Sequence, residues 1–155
     1  MGYKKHVIVW FGLFLVVLFG CSSDGAKSEQ VEEVGPIEAE MTIDTTKDNG
    51  LLTIHGTTNL PDGGVVMVTL QDREGYRVQT TSPIVDGTFT AEVYAAIGSE
   101  FSGEYTVIAT LSVTANQPQE FVNEVGEDYE NIGGELMEEG EYGRTISYEE
   151  QITVE

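Results

Sequence analysis

The stretch VVMVTLQDREGYRVQTTSPIVDGTFTAEV, residues 65–93, decides the fold class. Val65–Gln71 is a short run rich in β-branched residues, apolar on both faces at its start, and it reads as a buried strand. Asp72-Arg73-Glu74-Gly75 turns the chain. Tyr76–Val85 is a weaker strand, and Pro83, which cannot donate to a ladder, demotes its end to an edge. Asp86-Gly87 is a two-residue hairpin signal, because both residues tolerate positive φ. Thr88–Tyr94 then alternates strictly, with Phe89, Ala91 and Val93 on one face and Thr88, Thr90 and Glu92 on the other.

The same texture extends in both directions. Upstream, Glu38–Thr46 and Leu51–Thr58 flank Asn49-Gly50, a second hairpin signal. NLPDGG, residues 59–64, supplies Pro61 and Asp62-Gly63 for a turn. Downstream, Gly103–Val113 places Tyr105, Val107, Ala109 and Leu111 on one face, and Thr145–Val154 closes the chain. Seven short strands separated by turn signals, with no long amphipathic helix, predict an all-β fold: a single antiparallel β-sandwich over residues 37–155. Consecutive hairpins exclude a βαβ reading, and the length suits one core rather than two.

The segments TNLPDGGVVMVTL (58–70), VDGTFTAEV (85–93) and GEYTVIATL (103–111) together resemble bacterial immunoglobulin-like domains of surface proteins and lipoproteins. The resemblance implies an immunoglobulin-like β-sandwich and carries no catalytic residues. Under it, Tyr105 is either a tyrosine corner, its hydroxyl bonded to nearby backbone, or an ordinary core tyrosine.

The first twenty residues have a different character. Lys4 and Lys5 precede thirteen uncharged residues, Val7–Phe19. As a helix these would span roughly 20 Å, short of the ~30 Å hydrocarbon core, which suits an export signal better than a transmembrane helix. Leu18-Phe19-Gly20-Cys21 follows and resembles the lipobox of bacterial lipoproteins; Phe19 is larger than that pattern usually holds. The resemblance implies cleavage between Gly20 and Cys21 and a diacylglyceryl group, with its fatty acyl chains such as palmitate, on the Cys21 thiol. Cys21 is the chain's single cysteine, so no intrachain disulfide is available. Residues 21–36 then read as the lipid anchor and a flexible, polar linker. The expected location is the extracytoplasmic face of a cell membrane, the outer membrane in a host with two, since Ser22 follows the cysteine.

Charge narrows the function. The net charge is −20, and removal of residues 1–20 takes two lysines and no acid, leaving −22. Such a chain is a poor partner for nucleic acid or anionic lipid headgroups, so membrane contact is expected through the lipid alone. No lysine or arginine stands between Arg77 and Arg144, where thirteen acids do.

Residues 114–143 form a long acidic insertion between the last two strands, longer than ordinary loops without structure or function. A short helix is expected after Pro118, with Phe121, Val122 and Val125 as its apolar stripe and Gly126 as its stop. Tyr129, Ile132, Leu136, Met137 and Tyr142 are expected to pin the rest onto the sandwich. Phe121, Tyr129 and Tyr142 are the candidate partner contacts. Glu127, Asp128, Glu130 and Glu135 are candidate calcium ligands, although no D-x-[DN]-x-[DN]-G loop is present and a solvated acidic face explains them more simply.

No catalytic constellation is visible. His55 is the one histidine after the leader, and no Ser-His-Asp order, zinc spacing or phosphate-binding glycine loop accompanies it. The reading is therefore a lipid-anchored cell-surface lipoprotein with no cofactor and a non-enzymatic role in binding, adhesion or support of another envelope protein. The alternatives are a calcium-binding or salt-adapted module and a protease inhibitor.

Overall fold

Alternating side chains sort the strands into two antiparallel sheets and one short parallel ribbon. The computed structural model describes residues 35–155; the leader, the Gly20–Cys21 junction and most of the linker lie outside them. The strands are β1 (Ile37–Glu38), β2 (Met41–Asp48), β3 (Leu51–Thr58), β4 (Val65–Gln71), β5 (Arg77–Pro83), β6 (Thr88–Tyr94), β7 (Gly103–Leu111), β8 (Ile132–Gly133), β9 (Met137–Gly140) and β10 (Gly143–Val154). One sheet has the order β2-β3-β6 and the other β5-β4-β7-β10-β9, while β1 pairs with β8 in parallel. The fold is all-β. Among the described residues no helix is long and apolar enough to cross a membrane.

The inward faces are those the alternation marks. Leu52 and Ile54 of β3 and Phe89, Ala91 and Val93 of β6 join Val66, Val68 and Leu70 of β4 and Val107, Ala109 and Leu111 of β7 in one hydrophobic cluster. Gly56 sits opposite Phe89 in the β3–β6 ladder. A Cβ on Gly56 would overlap the Phe89 ring, so this glycine makes the room that the largest core side chain of β6 occupies.

Three features differ from the sequence reading. The first strand is two strands: β1 leaves to pair with Ile132–Gly133, and β2 pairs with β3. The amide of Asn59 holds the break, accepting from Glu40 N at 2.8 Å and donating to Glu38 O at 2.7 Å. The ribbon is parallel, so the fold is not wholly antiparallel. The third concerns Asp86-Gly87. The turn forms, with φ of 51° and 68°, and Val85 and Thr88 exchange both backbone bonds. Yet β5 and β6 belong to different sheets, because Ile84 leaves the ladder to bond Gly63 and Gly64 instead. A hairpin signal here makes a corner between sheets. By contrast, Asn49-Gly50 (φ 47° and 79°) joins β2 and β3 as an ordinary two-residue hairpin.

The insertion is ordered by its apolar residues. A helix, α1 (Gln119–Val125), follows Pro118 and ends at Gly126. Phe121 and Val125 are buried, and Phe121 packs so closely on Gly64 that a Cβ there would lie 2.7 Å from the ring. Beyond it, β9 pairs with β10 as a hairpin that the sequence reading did not include.

Candidate functional site

Two open surfaces lie where the insertion meets the sheets. Both depend on a network that fixes residues 112–144. Gln117 clasps the start of β4, accepting from Val65 N at 2.8 Å and donating to Val65 O at 3.1 Å. Asp128 and Tyr129 both adopt positive φ, 52° and 57°, and so reverse the chain sharply. Neighbouring bonds hold that unfavourable backbone. Asp128 N donates to Thr114 Oγ1 at 3.1 Å, and its carboxylate accepts from Arg144 N at 2.7 Å and from Arg144 Nε at 3.4 Å. Tyr129 is fully buried, meets Phe121 edge-on at 6.4 Å, and donates its hydroxyl to Ser112 O at 2.6 Å. Burial holds that phenol far above its ordinary pKa, so it remains a donor.

The first surface is a cleft of about 490 Å³, lined among others by Thr114, Gln119, Val122, Glu127, Asp128 and Tyr142. The second is a groove of about 450 Å³ beside the start of β2, lined among others by Glu38, Ala39, Met41, Glu135, Leu136 and Tyr148. The Tyr148 hydroxyl bonds Glu150 at 3.0 Å. That bond, with partial burial and the Glu150 charge, raises its pKa, so the phenol keeps its proton, which Glu150 accepts.

The sequence-predicted site residues separate. Phe121 and Tyr129 are core residues with no exposed surface, because the chain folds back so that their rings support the insertion from beneath. They are not contact residues in this structure. Tyr142, at 84% exposure on the β9–β10 turn, does stand at the surface. The four carboxylates proposed for calcium do not assemble: Glu127 and Asp128 both line the cleft, but Asp128 is engaged by Arg144, Glu130 lies over Gly126 and Glu135 lines the groove. Among the described residues no three acidic, histidine or cysteine side chains converge as a metal site. His55 is exposed on β3, with Thr90 Oγ1 3.5 Å from its Nδ1. Gly20 and Cys21 lie outside the described residues.

Tyr105 is not a tyrosine corner. It sits in an aromatic cluster, edge-on to Phe101 at 5.8 Å and to Tyr76 at 6.3 Å, and no backbone bond to its hydroxyl occurs among the described residues. The phenol that reaches back to the backbone is that of Tyr129. Nor did the sequence reading find Met41, Leu136 and Tyr148 as the apolar lining of one groove. The alternation Ile146, Tyr148, Glu150, Ile152 in the last strand was the available signal, but it does not say which strand lies across the gap.

Compared with known proteins, the chain matches no family model, no curated protein and no solved structure.

Proposed function

We propose that this chain is a bacterial lipoprotein, exported and anchored through a lipid on Cys21. Its folded part, on this reading, is an immunoglobulin-like β-sandwich that binds or supports another envelope component without catalysis. The observation that carries the reading is the placement of the single cysteine directly after Leu18-Phe19-Gly20, at the end of a short uncharged run that follows two lysines. The strand order supports the fold assignment: β4, β7 and β10 neighbour one another in one sheet, β2, β3 and β6 in the other, as the C, F, G and A, B, E strands do in immunoglobulin-like domains. A binding role is supported by the two open surfaces, the cleft and the groove.

Mass spectrometry of the mature N-terminus tests the reading. Expression in a bacterial host should yield a chain that begins at Cys21, carries diacylglyceryl and acyl masses, and fractionates with membranes. Cys21→Ser should abolish both the added mass and the membrane association. An unmodified Cys21 in membranes would overturn the anchor.

A further inference from the structure

The outer edge of β2 carries backbone groups that β3 does not use, beside the groove. In the β3 ladder, Thr58 N bonds Gly87 O and Gly50 O accepts from Ala95 N, so the even-numbered residues of β3 turn their backbone groups toward β6. Met41 lies opposite Thr58, and Ile43, Thr45 and Lys47 follow in register. Their N–H and C=O groups therefore point away from β3, since antiparallel pairs alternate between bonded and non-bonded. Thr45 N is met by the Asp44 carboxylate at 2.8 Å, and no described residue pairs with the other three along this edge.

The remaining sheet edges are guarded. Thr90 N on β6 donates to Ser82 Oγ of β5 at 3.1 Å. The outer strand β5 ends in Pro83, and β9 is four residues long with Glu138 and Glu139 in its middle. Among the described residues β2, at eight residues, is the longest edge strand, and the groove lies beside its start, at Met41 and Thr42. That groove has an apolar floor of Met41, Leu136 and Tyr148 and an acidic rim of Glu38, Glu40 and Glu135, with no lysine or arginine among its lining residues.

We propose that the edge of β2 binds an extended peptide segment of a partner protein, with apolar and basic residues in alternation. The proposal rests on the binding role given above and names its partner chemistry. Backbone bonds to Met41, Ile43 and Lys47 supply the pairing. The apolar side chain opposite Met41 enters between Met41 and Leu136, and the lysines or arginines on either side of it face the carboxylates of the rim. A second copy of this chain is disfavoured as occupant, because its own β2 brings Asp44 and Asp48 to an already acidic edge.

The test uses the full chain in detergent micelles and three synthetic octapeptides: alternating valine and lysine, alternating valine and glutamate, and the valine–lysine peptide with its valine amides N-methylated. Amide hydrogen exchange reads the result residue by residue. The valine–lysine peptide should slow exchange at Ile43 by about tenfold or more, while the other two leave it unchanged. Ile43→Pro removes an outward donor that the β3 ladder does not use; it trims a side chain partly buried against the core, so the melting temperature should fall modestly, while the peptide's protection of the neighbouring outward amides of Met41 and Lys47 should be abolished. Glu38→Gln with Glu135→Gln should weaken binding severalfold. Equal binding of the N-methylated peptide, or undiminished binding to the proline variant, would overturn strand addition. Failure of all three peptides on a chain whose Cys21 is lipidated would overturn this inference and leave the anchor standing. Protection at Ile43 on an unlipidated chain would do the reverse.

Discussion

The carboxylate of Asp62, in the loop between β3 and β4, accepts hydrogen bonds from Asp86 N at 3.0 Å and Gly87 N at 3.1 Å, in the corner between β5 and β6. One side chain thus ties together two connections that each pass from one sheet to the other. Charge-assisted bonds to backbone amides are stronger than neutral ones, and the turn amides they satisfy have φ > 0 and no ladder partner. Asp62→Ala should therefore destabilise the fold by about 1–3 kcal/mol, and Asp62→Asn by roughly half as much. Urea unfolding followed by circular dichroism gives the values. An unchanged midpoint for Asp62→Ala would show that the corner holds without it.

Gly56 and Phe89 make a second, purely steric pair. Because a Cβ at position 56 would overlap the ring, Gly56→Ala must push Phe89 off its rotamer or part the β3 and β6 strands. The expected cost is about 1–3 kcal/mol. Phe89→Leu in the same chain should recover part of it, so the double-mutant cycle reports a coupling of opposite sign to the single losses. Strict additivity would mean that the ring is not the obstacle.

Tyr129 links stability to alkaline pH. Its phenol is held above its ordinary value in the fold, whereas in the unfolded chain it ionises near pH ~10. Above that pH the unfolded state holds fewer protons than the folded one, so unfolding becomes easier as pH rises. Tyr148 and Tyr76 act in the same direction, the first mainly through its bond to Glu150 and the second mainly through burial. Tyr129→Phe should cost about 1–2 kcal/mol at neutral pH, since it leaves Ser112 O without its donor. Relative to wild type, that variant should also lose less stability between neutral and strongly alkaline solution. Unfolding curves at several pH values for both chains provide the comparison.

Charge predicts a salt dependence. With a net charge of −20 and only two ion pairs among the described residues, Arg73–Glu104 and Arg144–Asp128, the folded domain repels itself. Raising sodium chloride from low to molar concentration should stabilise it by about 1 kcal/mol, or roughly 3–6 °C in melting temperature for a domain of this size. A melting temperature that falls with salt would mean that the two ion pairs outweigh the repulsion.

How far the sequence reaches is clearest at the two turn signals. Asn49-Gly50 and Asp86-Gly87 look alike in sequence, and both form the same tight turn with positive φ. Only the first joins partners in one sheet. The second becomes a corner because Ile84 finds Gly63 and Gly64, residues that lie about twenty positions away. The insertion tells the same story. Helix α1 was legible from Pro118, its apolar spacing and Gly126, since those are local constraints. That Phe121 and Tyr129 turn inward, and are lost as contacts, depends on where Gly64 and Ser112 happen to lie.

Sequence by itself determined what neighbours in the chain can determine: the strand alternation that makes the fold all-β, the turns where φ must be positive, the acidity, and the lone cysteine placed after a short apolar run. Tertiary structure alone decided which strands share a sheet, that β1 leaves β2 to pair in parallel with β8, and that β2 keeps an open edge beside a groove floored by Met41, Leu136 and Tyr148. The physical reason is one of range. Dihedral preference and side-chain alternation act over a few residues, whereas pairing and burial are settled by contacts between segments as much as a hundred residues apart, and those contacts compete for one core.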